Sequence, residues 1–228
     1  YVEEKVGKQY LTELYGVYYK VGDINFDLLP EKFVMKGAHG YNFNILVPNK
    51  SKLNKARSRL LLLKWMTKNQ YYRGGLEWAY KNVKPKIIAE EYLKEEGKSS
   101  ISDYKYFFFN GMPKFIQVDM DRAEDHVRAY VNMDWQILEF DTIGIKRYDG
   151  VVKIPKNHEE MTQIAIRLAK GFPFVRVDLY NVDGRIVFGE MTFYPTDGRM
   201  EFYPDHYNEI IGNYLQLPDI PKGEKYIS

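Results

Sequence analysis

The chain has 228 residues, 45% of them hydrophobic, with 33 lysines and arginines against 31 acidic residues. That length can bury a full core in one large domain or two lobes, and a net charge of +2 excludes a dedicated nucleic-acid binder. The absence of cysteine excludes disulfides and thiolate chemistry, and no apolar run is long enough to span a bilayer. The sequence starts at Tyr1 with neither an initiator methionine nor a signal-peptide pattern. A soluble, cytoplasmic protein lacking an N-terminal piece is therefore expected.

Residues 1–20 read as a helix leading into a strand, with Leu11, Leu14, Val17 and Tyr18 as candidate core. A buried strand, Phe33-Val34-Met35, then delivers Lys36 at its end. It runs into Gly37-Ala38-His39-Gly40-Tyr41-Asn42 and a further strand over 43–47. A lysine closing a strand beside a glycine-bearing hairpin can clamp phosphate, because backbone N–H groups approach closely there. A solvated strand-end lysine is the simpler reading. The pattern over 51–69 predicts a helix capped by Ser51, with Leu53, Ala56, Leu60 and Leu63 as its buried stripe and a solvated basic face. Residues 71–82 mix aromatics with charge around two glycines and read as a loop.

An apolar strand over 86–93 ends in Glu90-Glu91-Tyr92-Leu93, and the polar loop from Glu95-Glu96 breaks it. A hairpin follows, 103–109 and 113–118, turning at Asn110-Gly111. Asp103 and Lys105 share one face of its first strand, and Arg122 lies beyond its second. Residues 126–153 read as irregular, anchored by Trp135. Asn157 is expected to cap a helix, with Glu160 completing a capping box and Met161, Ile164, Ala165 and Leu168 buried. Asp205 is expected to cap a last helix with Tyr207, Ile210, Ile211 and Tyr214 inward.

The centre of the chain is the hairpin 174–195, whose two apolar runs join at Asp183-Gly184. Arg176 and Asp178 share one face of its first strand, and Glu190 and Thr192 share one face of its second. With a two-residue turn, Asp178 lies opposite Gly189 and Glu190 points away. With a three-residue turn, Val182-Asp183-Gly184, Asn181 pairs with Arg185 and Arg176 faces Glu190. The second register is favoured, because it gathers two carboxylates, a hydroxyl and an arginine on one surface. Val175, Val177, Val187 and Met191 are then left for the other. Two carboxylates at that separation suit Mg²⁺, which fills its octahedron with phosphate oxygens and water. An exposed Arg–Glu cross-strand pair is the plainer alternative.

The order of these pieces resembles the ATP-grasp superfamily of carboxylate–amine ligases, from Phe33 to about Gly198. A strand-end lysine and a glycine-bearing hairpin come first, then Glu-Glu-Tyr-Leu and Asp-x-Lys. An arginine follows, then Arg-x-Asp and Glu-x-Thr-x-x-Pro. The runs IIAEEYL, YKYFFFNGMPKFI and FPFVRVDLYNVDGRIVFGEMTFYP are similar to the TupA-like branch, associated with teichuronopeptide and capsule synthesis. The resemblance implies an α+β fold of two antiparallel-rich lobes, about 1–93 and 94–228, with ATP between them and Mg²⁺ as metal. Lys36 would contact phosphates beneath a covering loop holding His39 and Gly40. Glu90, Glu91, Tyr92 and Leu93 would hold adenine, and Glu95 or Glu96 the ribose. Lys105, Arg122 and Arg176 would be catalytic, and Asp178, Glu190 and Thr192 would hold the metal.

The sequence departs from the family's usual pattern in three places. Thr192 stands where asparagine is commoner, the covering loop is glycine-poor, and the preceding domain is expected to be short or absent from this sequence. The implied reaction joins an amine to a carboxylate through an acyl phosphate, on a uronic acid or glutamate-bearing surface polymer or its precursor. The other readings are a glycan phosphotransferase or glycosyltransferase-like enzyme of capsule assembly, and a nucleotide-binding module without turnover. A homodimer is the one protein partner expected, with no nucleic acid.

Overall fold

A short helix, α1 (Val2–Lys5), opens the chain, and Val6 just after it is buried in the core formed by the C-terminal part. The computed structural model describes residues 1–74, 76–97, 100–121, 125–217 and 219. They fall into two compact units, Thr12–Leu93 on one side and Tyr1–Leu11 with Lys94–Ser228 on the other.

The smaller unit is a four-stranded antiparallel sheet made of β1 (Leu14–Tyr18), β2 (Phe33–Gly37), β3 (Asn44–Val47) and β4 (Ile87–Glu91), in the order β1-β4-β2-β3. Phe33 and Met35 of β2 and Ile87 and Ala89 of β4 alternate inward. They meet Leu62 and Trp65 of helix α2 (Lys55–Met66). The helix starts at Lys55 rather than Ser51, because the side chain of Asn54 accepts the Arg57 N–H at 2.9 Å. Its buried residues are Ser58, Leu62 and Trp65, so the expected stripe is on the wrong side: Leu60 and Leu63 face solvent. Trp65 decides the phase by stacking on Phe43, ring centroids 5.3 Å apart. β1 is an edge strand, which leaves Leu14 and Val17 exposed rather than in the core. Helix α3 (Gln70–Arg73) occupies part of the stretch expected to be a loop.

The larger unit is built on β5 (Asp103–Phe109), β6 (Met112–Met120) and β7 (Val127–Val131). Short strands β8 (Asp141–Thr142) and β9 (Lys146–Arg147) follow, then α4 (His158–Ala169), the long hairpin β10 (Phe174–Val182) and β11 (Arg185–Thr192), β12 (Phe202–Tyr203) and α5 (His206–Gly212). Six of the strands form one sheet in the order β11-β10-β5-β6-β7-β9. β7 lies where the sequence reads as irregular. Its five residues are too few for alternation to stand out, and four of them are buried.

One face of this sheet carries Tyr106, Phe108, Ile116, Val118, Val175 and Val177, and packs on α4. Met161, Ile164, Ala165 and Leu168 are all buried there, as their helical spacing predicts. Asn157 does not cap α4 with its side chain. Instead it donates to the Gly184 carbonyl at 2.8 Å and accepts from Asn181 at 2.6 Å, tying the helix start to the hairpin turn. Glu160 likewise forms no capping box and accepts from the Tyr10 hydroxyl at 2.8 Å. The opposite face is divided. Toward the Asn110-Gly111 turn it is apolar, with Phe107, Phe109 and Phe115 against Phe140, Phe202 and Ile211 of α5, while Ile210 is exposed. The rest of that face is polar. No helix among the described residues is long and apolar enough to cross a membrane.

Candidate functional site

The polar half of the sheet owes its composition to irregularities in strand register, the first of them in the β10–β11 hairpin. At its tip the β10–β11 hairpin makes a two-residue turn, with Val182 paired to Arg185 and positive φ at Asp183 (51°) and Gly184 (91°). Such φ values at both central residues are those of a type I′ turn. The three-residue turn favoured from the sequence does not form. Taken alone, that would have pointed Glu190 away from Asp178. A β-bulge restores the match: Leu179 pairs with Phe188, but Asp178 pairs with Glu190, leaving Gly189 as the extra residue. Arg176 then lies opposite Thr192. A Cβ at 189 would sit 3.0 Å from the Asp178 carbonyl oxygen and 3.1 Å from the Tyr180 ring, which is why glycine suits the position. The two-residue turn also changes the apolar face: Ile186 and Phe188 turn toward the core and Val187, opposite Tyr180, joins the polar side, while the bulge keeps Met191 on the core side.

Five of the expected site residues meet on this surface. Asp178 pairs across β10 and β5 with Lys105, whose Nζ donates to it at 2.6 Å and also to Asp103. The Arg176 guanidinium donates to both Asp178 oxygens at 2.7 Å, and to Glu190 at 2.8 Å and the Thr192 hydroxyl at 3.1 Å. Thr192 in turn donates to Glu190 at 2.9 Å. Burial opposes charge on Asp178, but Lys105 and Arg176 outweigh it and hold its carboxyl below the ordinary range. Burial likewise opposes charge on Lys105, yet Asp178 and Asp103 keep its ammonium above the usual value. The same balance of burial against Asp178 raises Arg176. All three stay ionised at neutral pH.

A second polar group on the same face was not singled out from the sequence. Asp119 lies opposite Asp103 and Arg128 opposite Asp119, on adjacent strands. Arg128 donates to Asp119 at 2.6 Å, Gln117 donates to it at 2.8 Å, and Tyr130 donates to Gln117 at 3.1 Å. Burial works against the Asp119 charge and Arg128 overcomes it, so this carboxylate is held low too. The Asn110-Gly111 turn alone would set Lys105 opposite Ile116; a register shift between Phe107 and Phe108 is what brings Gln117 and Asp119 opposite Lys105 and Asp103.

Of the remaining candidates in the larger unit, Arg122 lies outside the described residues. The Glu96 N–H donates to the Asp183 carboxylate at 3.1 Å, fastening its loop to the hairpin turn. The Tyr104 phenol is pushed up to about 12, by burial first and then by the charge of Glu95.

In the smaller unit Lys36 makes an ion pair with Glu90, and the Thr12 hydroxyl donates to Glu90 at 3.3 Å. The Lys36 side chain remains 40% exposed. The Glu91 N–H donates to the Glu13 carbonyl at 2.9 Å, and Tyr92 and Leu93 continue half-buried beyond the end of β4. His39, expected in the covering loop over the phosphates, lies in the turn between β2 and β3. It is buried, its Nε2 2.9 Å from the Trp65 carbonyl and its Nδ1 accepting the Lys86 N–H at 3.3 Å. Both ring nitrogens are thus engaged by backbone, and the imidazole pins the turn to α2 and β4. Gly40 is packed as tightly: a Cβ there would lie 2.8 Å from the Phe43 ring. Tyr41 and Asn42 are what the turn presents to solvent.

Among the described residues, no group of three or more His, Asp or Glu side chains is placed to hold a metal by itself. Asp178 and Glu190 face each other with the Thr192 hydroxyl beside them. That donor set fits a cation such as Mg²⁺, which takes one or two protein carboxylates and completes its shell with phosphate oxygens and water.

No curated protein sequence matches the chain. Among solved structures it is similar to the D-alanine–D-alanine ligase from Bacillus anthracis complexed with ATP, at 16% identity and a TM-score of 0.48, over 86% of this chain and 53% of that one. It is similar to the ATP-grasp ligase PsnB complexed with minimal precursor, Mg and ADP, at 12% identity and a TM-score of 0.43, over 83% and 48%. It is also similar to D-cycloserine synthetase DcsG, at 12% identity and a TM-score of 0.43, over 82% and 59%. The chain spans about half the length of the solved structures it matches. The family model described as TupA-like ATPgrasp matches residues 1–216. As that match takes in nearly the whole sequence, the chain belongs to the TupA-like ATP-grasp family.

Proposed function

We propose that the chain is the catalytic part of an ATP- and Mg²⁺-dependent carboxylate–amine ligase. Its substrate would be a uronic acid or glutamate-bearing cell-surface polysaccharide, or a precursor made in the cytoplasm. The observation that carries this reading is the pairing of Asp178 with Lys105, Arg176 and Glu190 on one sheet face. Family membership supplies the context.

A carboxylate is a poor acyl donor because its leaving group would be oxide. Transfer of the γ-phosphoryl group of ATP turns it into an acyl phosphate, releasing ADP. Attack by an amine then forms the amide and releases phosphate. Phosphoryl transfer asks a protein mainly for positioning and charge neutralisation. Lys105 and Arg176 are suited to that, being cations fixed in place by carboxylates rather than swinging in solvent. They can steady the transferred phosphoryl oxygens first and the tetrahedral oxyanion afterwards. Asp178, Glu190 and Thr192 would hold Mg²⁺, which supplies charge stabilisation on the phosphates. In the smaller unit Lys36 would contact phosphates and Glu90, Glu91, Tyr92 and Leu93 would bind adenine. Glu95 or Glu96 would take the ribose and Arg122 the acyl phosphate, and Gly40 would belong to the loop over the phosphates.

The test is release of ADP and phosphate with Mg-ATP, over a panel of uronic acids and glutamyl compounds crossed with amines. The expected outcome is ADP release that needs both a carboxylate and an amine, with amide detected by mass spectrometry and none from Asp178→Asn. ADP release with a phosphorylated glycan and no amide would replace the ligase with a phosphotransferase. ATP binding without ADP release on any pair would leave a nucleotide-binding module.

A further inference from the structure

Helix α2 is apolar on two opposite sides. Ser58, Leu62 and Trp65 face the core of the smaller unit. On the far side Ala56, Leu60 and Leu63 recur at the i, i+4, i+7 spacing of a second stripe, with Leu60 69% exposed and Leu63 51% exposed. A stripe of this kind ordinarily faces something apolar. Arg57 and Lys64, seven residues apart and exposed, border it on one side. Beyond them lies a groove of about 400 Å³ between β3 and α2, lined by Ile45, Val47, Leu53 and Leu61 among others.

The segment that carries this face is basic, with one acid, Asp27, brought beside it from an earlier turn to pair with Lys55 in the first turn of α2 at 2.6 Å. From Lys32 to Leu76 the chain carries ten lysines and arginines and no acidic residue, although the whole protein is near neutral. Three occupants can be compared. Two copies of the chain meeting through the same face would bring Arg57 and Lys64 against their equivalents, which like charges oppose. A nucleic acid would use the cations but has nothing for Leu60 and Leu63, and the stripe holds no aromatic ring for base stacking. An anionic lipid surface uses both: its headgroups attract the cations and its acyl boundary accepts the leucines. We infer that the outward face of α2 docks the protein on a membrane surface bearing anionic lipid. The contact is peripheral, since α2 has only 12 residues, too few to span a bilayer.

The experiment is co-sedimentation of the full chain with vesicles of phosphatidylcholine, with and without about a third phosphatidylglycerol, at low and high salt. Wild type should bind the phosphatidylglycerol vesicles, release at high salt, and ignore phosphatidylcholine alone. Arg57→Gln with Lys64→Gln should weaken partitioning about 25-fold, at roughly five-fold per cation near the surface. Leu60→Ser with Leu63→Ser should weaken it by about ten-fold or more, given the apolar area removed. Both pairs alter exposed positions, so thermal melts with and without Mg-ATP should match wild type. Failure of wild type to bind anionic vesicles overturns the inference. So does binding that ignores the leucine changes, because that is unspecific attraction. A concentration-dependent dimer abolished by the leucine changes would assign the face to a second copy instead.

Discussion

Removing the charge of Asp178 separates its two duties, because its surroundings differ sharply from those of Glu190. The Asp178 side chain is 1% exposed and receives ion contacts of 2.6 and 2.7 Å from Lys105 and Arg176. Asp178→Asn keeps the shape but leaves two buried cations short of a counter-charge. Breaking a buried pair in this way costs about 3–5 kcal/mol. Here Lys105 retains Asp103, and Arg176 retains Glu190 and Thr192, so the low end applies, about 3 kcal/mol. Glu190 is 57% exposed, and an ion pair in water is worth at most about 1 kcal/mol. Glu190→Gln should therefore leave stability almost unchanged while abolishing ATP turnover as completely as Asp178→Asn. Hydrogen-exchange mass spectrometry over β10 and β5 reads the larger unit on its own, and ADP release reads turnover. Equal, small losses of protection in both variants would refute the buried network. Stabilisation by Asp178→Asn would show that the two carboxylates repel each other instead of sharing Arg176.

Lys36→Ala should weaken ATP binding about 10- to 150-fold, the equivalent of about 1.5–3 kcal/mol for bonds to a charged group. Calorimetry checks this, and unchanged affinity would make the lysine only a partner of Glu90. His39→Ala should behave oppositely, costing about 2–4 kcal/mol of stability through lost packing and two lost hydrogen bonds while the protein that remains folded binds ATP normally. Normal melting with weakened ATP binding would return His39 to the nucleotide. The carboxyls of Asp178 and Asp119 lie below their ordinary 3.8 when folded, so they stabilise above that pH and the contribution is lost as pH falls through the folded values. Lys105 lies above its ordinary 10.5, so its contribution is complete below that pH and is lost as pH rises through the folded value. Urea melts should give a plateau between about pH 4 and 10 from these groups, with a shallower acid limb in Asp178→Asn; no change in that limb would contradict the depressed Asp178.

What the sequence made legible depended on whether the pattern was one-sided. In α4 the apolar residues occupy a single stripe, so spacing alone identifies the buried set. In α2 two stripes compete, Leu60 with Leu63 and Leu62 with Trp65. Periodicity finds both and cannot rank them without Phe43, which lies on another element. The hairpin is more instructive. Its polar residues do converge, but through a bulge at Gly189 rather than a longer turn. A glycine inside a strand marks where a bulge is allowed. What makes it form here is the gain from burying Ile186, Phe188 and Met191 on one side, which local pattern does not display. Asp119 and Arg128 escaped notice for the same reason, since their partnership runs between strands and β7 has too little alternation to announce itself.

The two lysines make the point at the level of a single side chain. Lys36 and Lys105 both sit in strands of aromatic and apolar neighbours, one at a strand end before Gly37 and the other mid-strand two residues from Asp103, and neither setting by itself says which ammonium is buried. Their strands do. β5 lies between β6 and β10, and β10 brings Asp178 directly opposite Lys105, so the ammonium is buried and held. β2 lies between β3 and β4, where Ile88 is opposite Lys36 and Glu90 only diagonal to it, so the ammonium keeps access to solvent. A buried, paired cation is positioned before any ligand arrives, which suits a group that must meet developing charge. A half-exposed one can leave Glu90 for a phosphate at little cost, which suits a group that must bind and release.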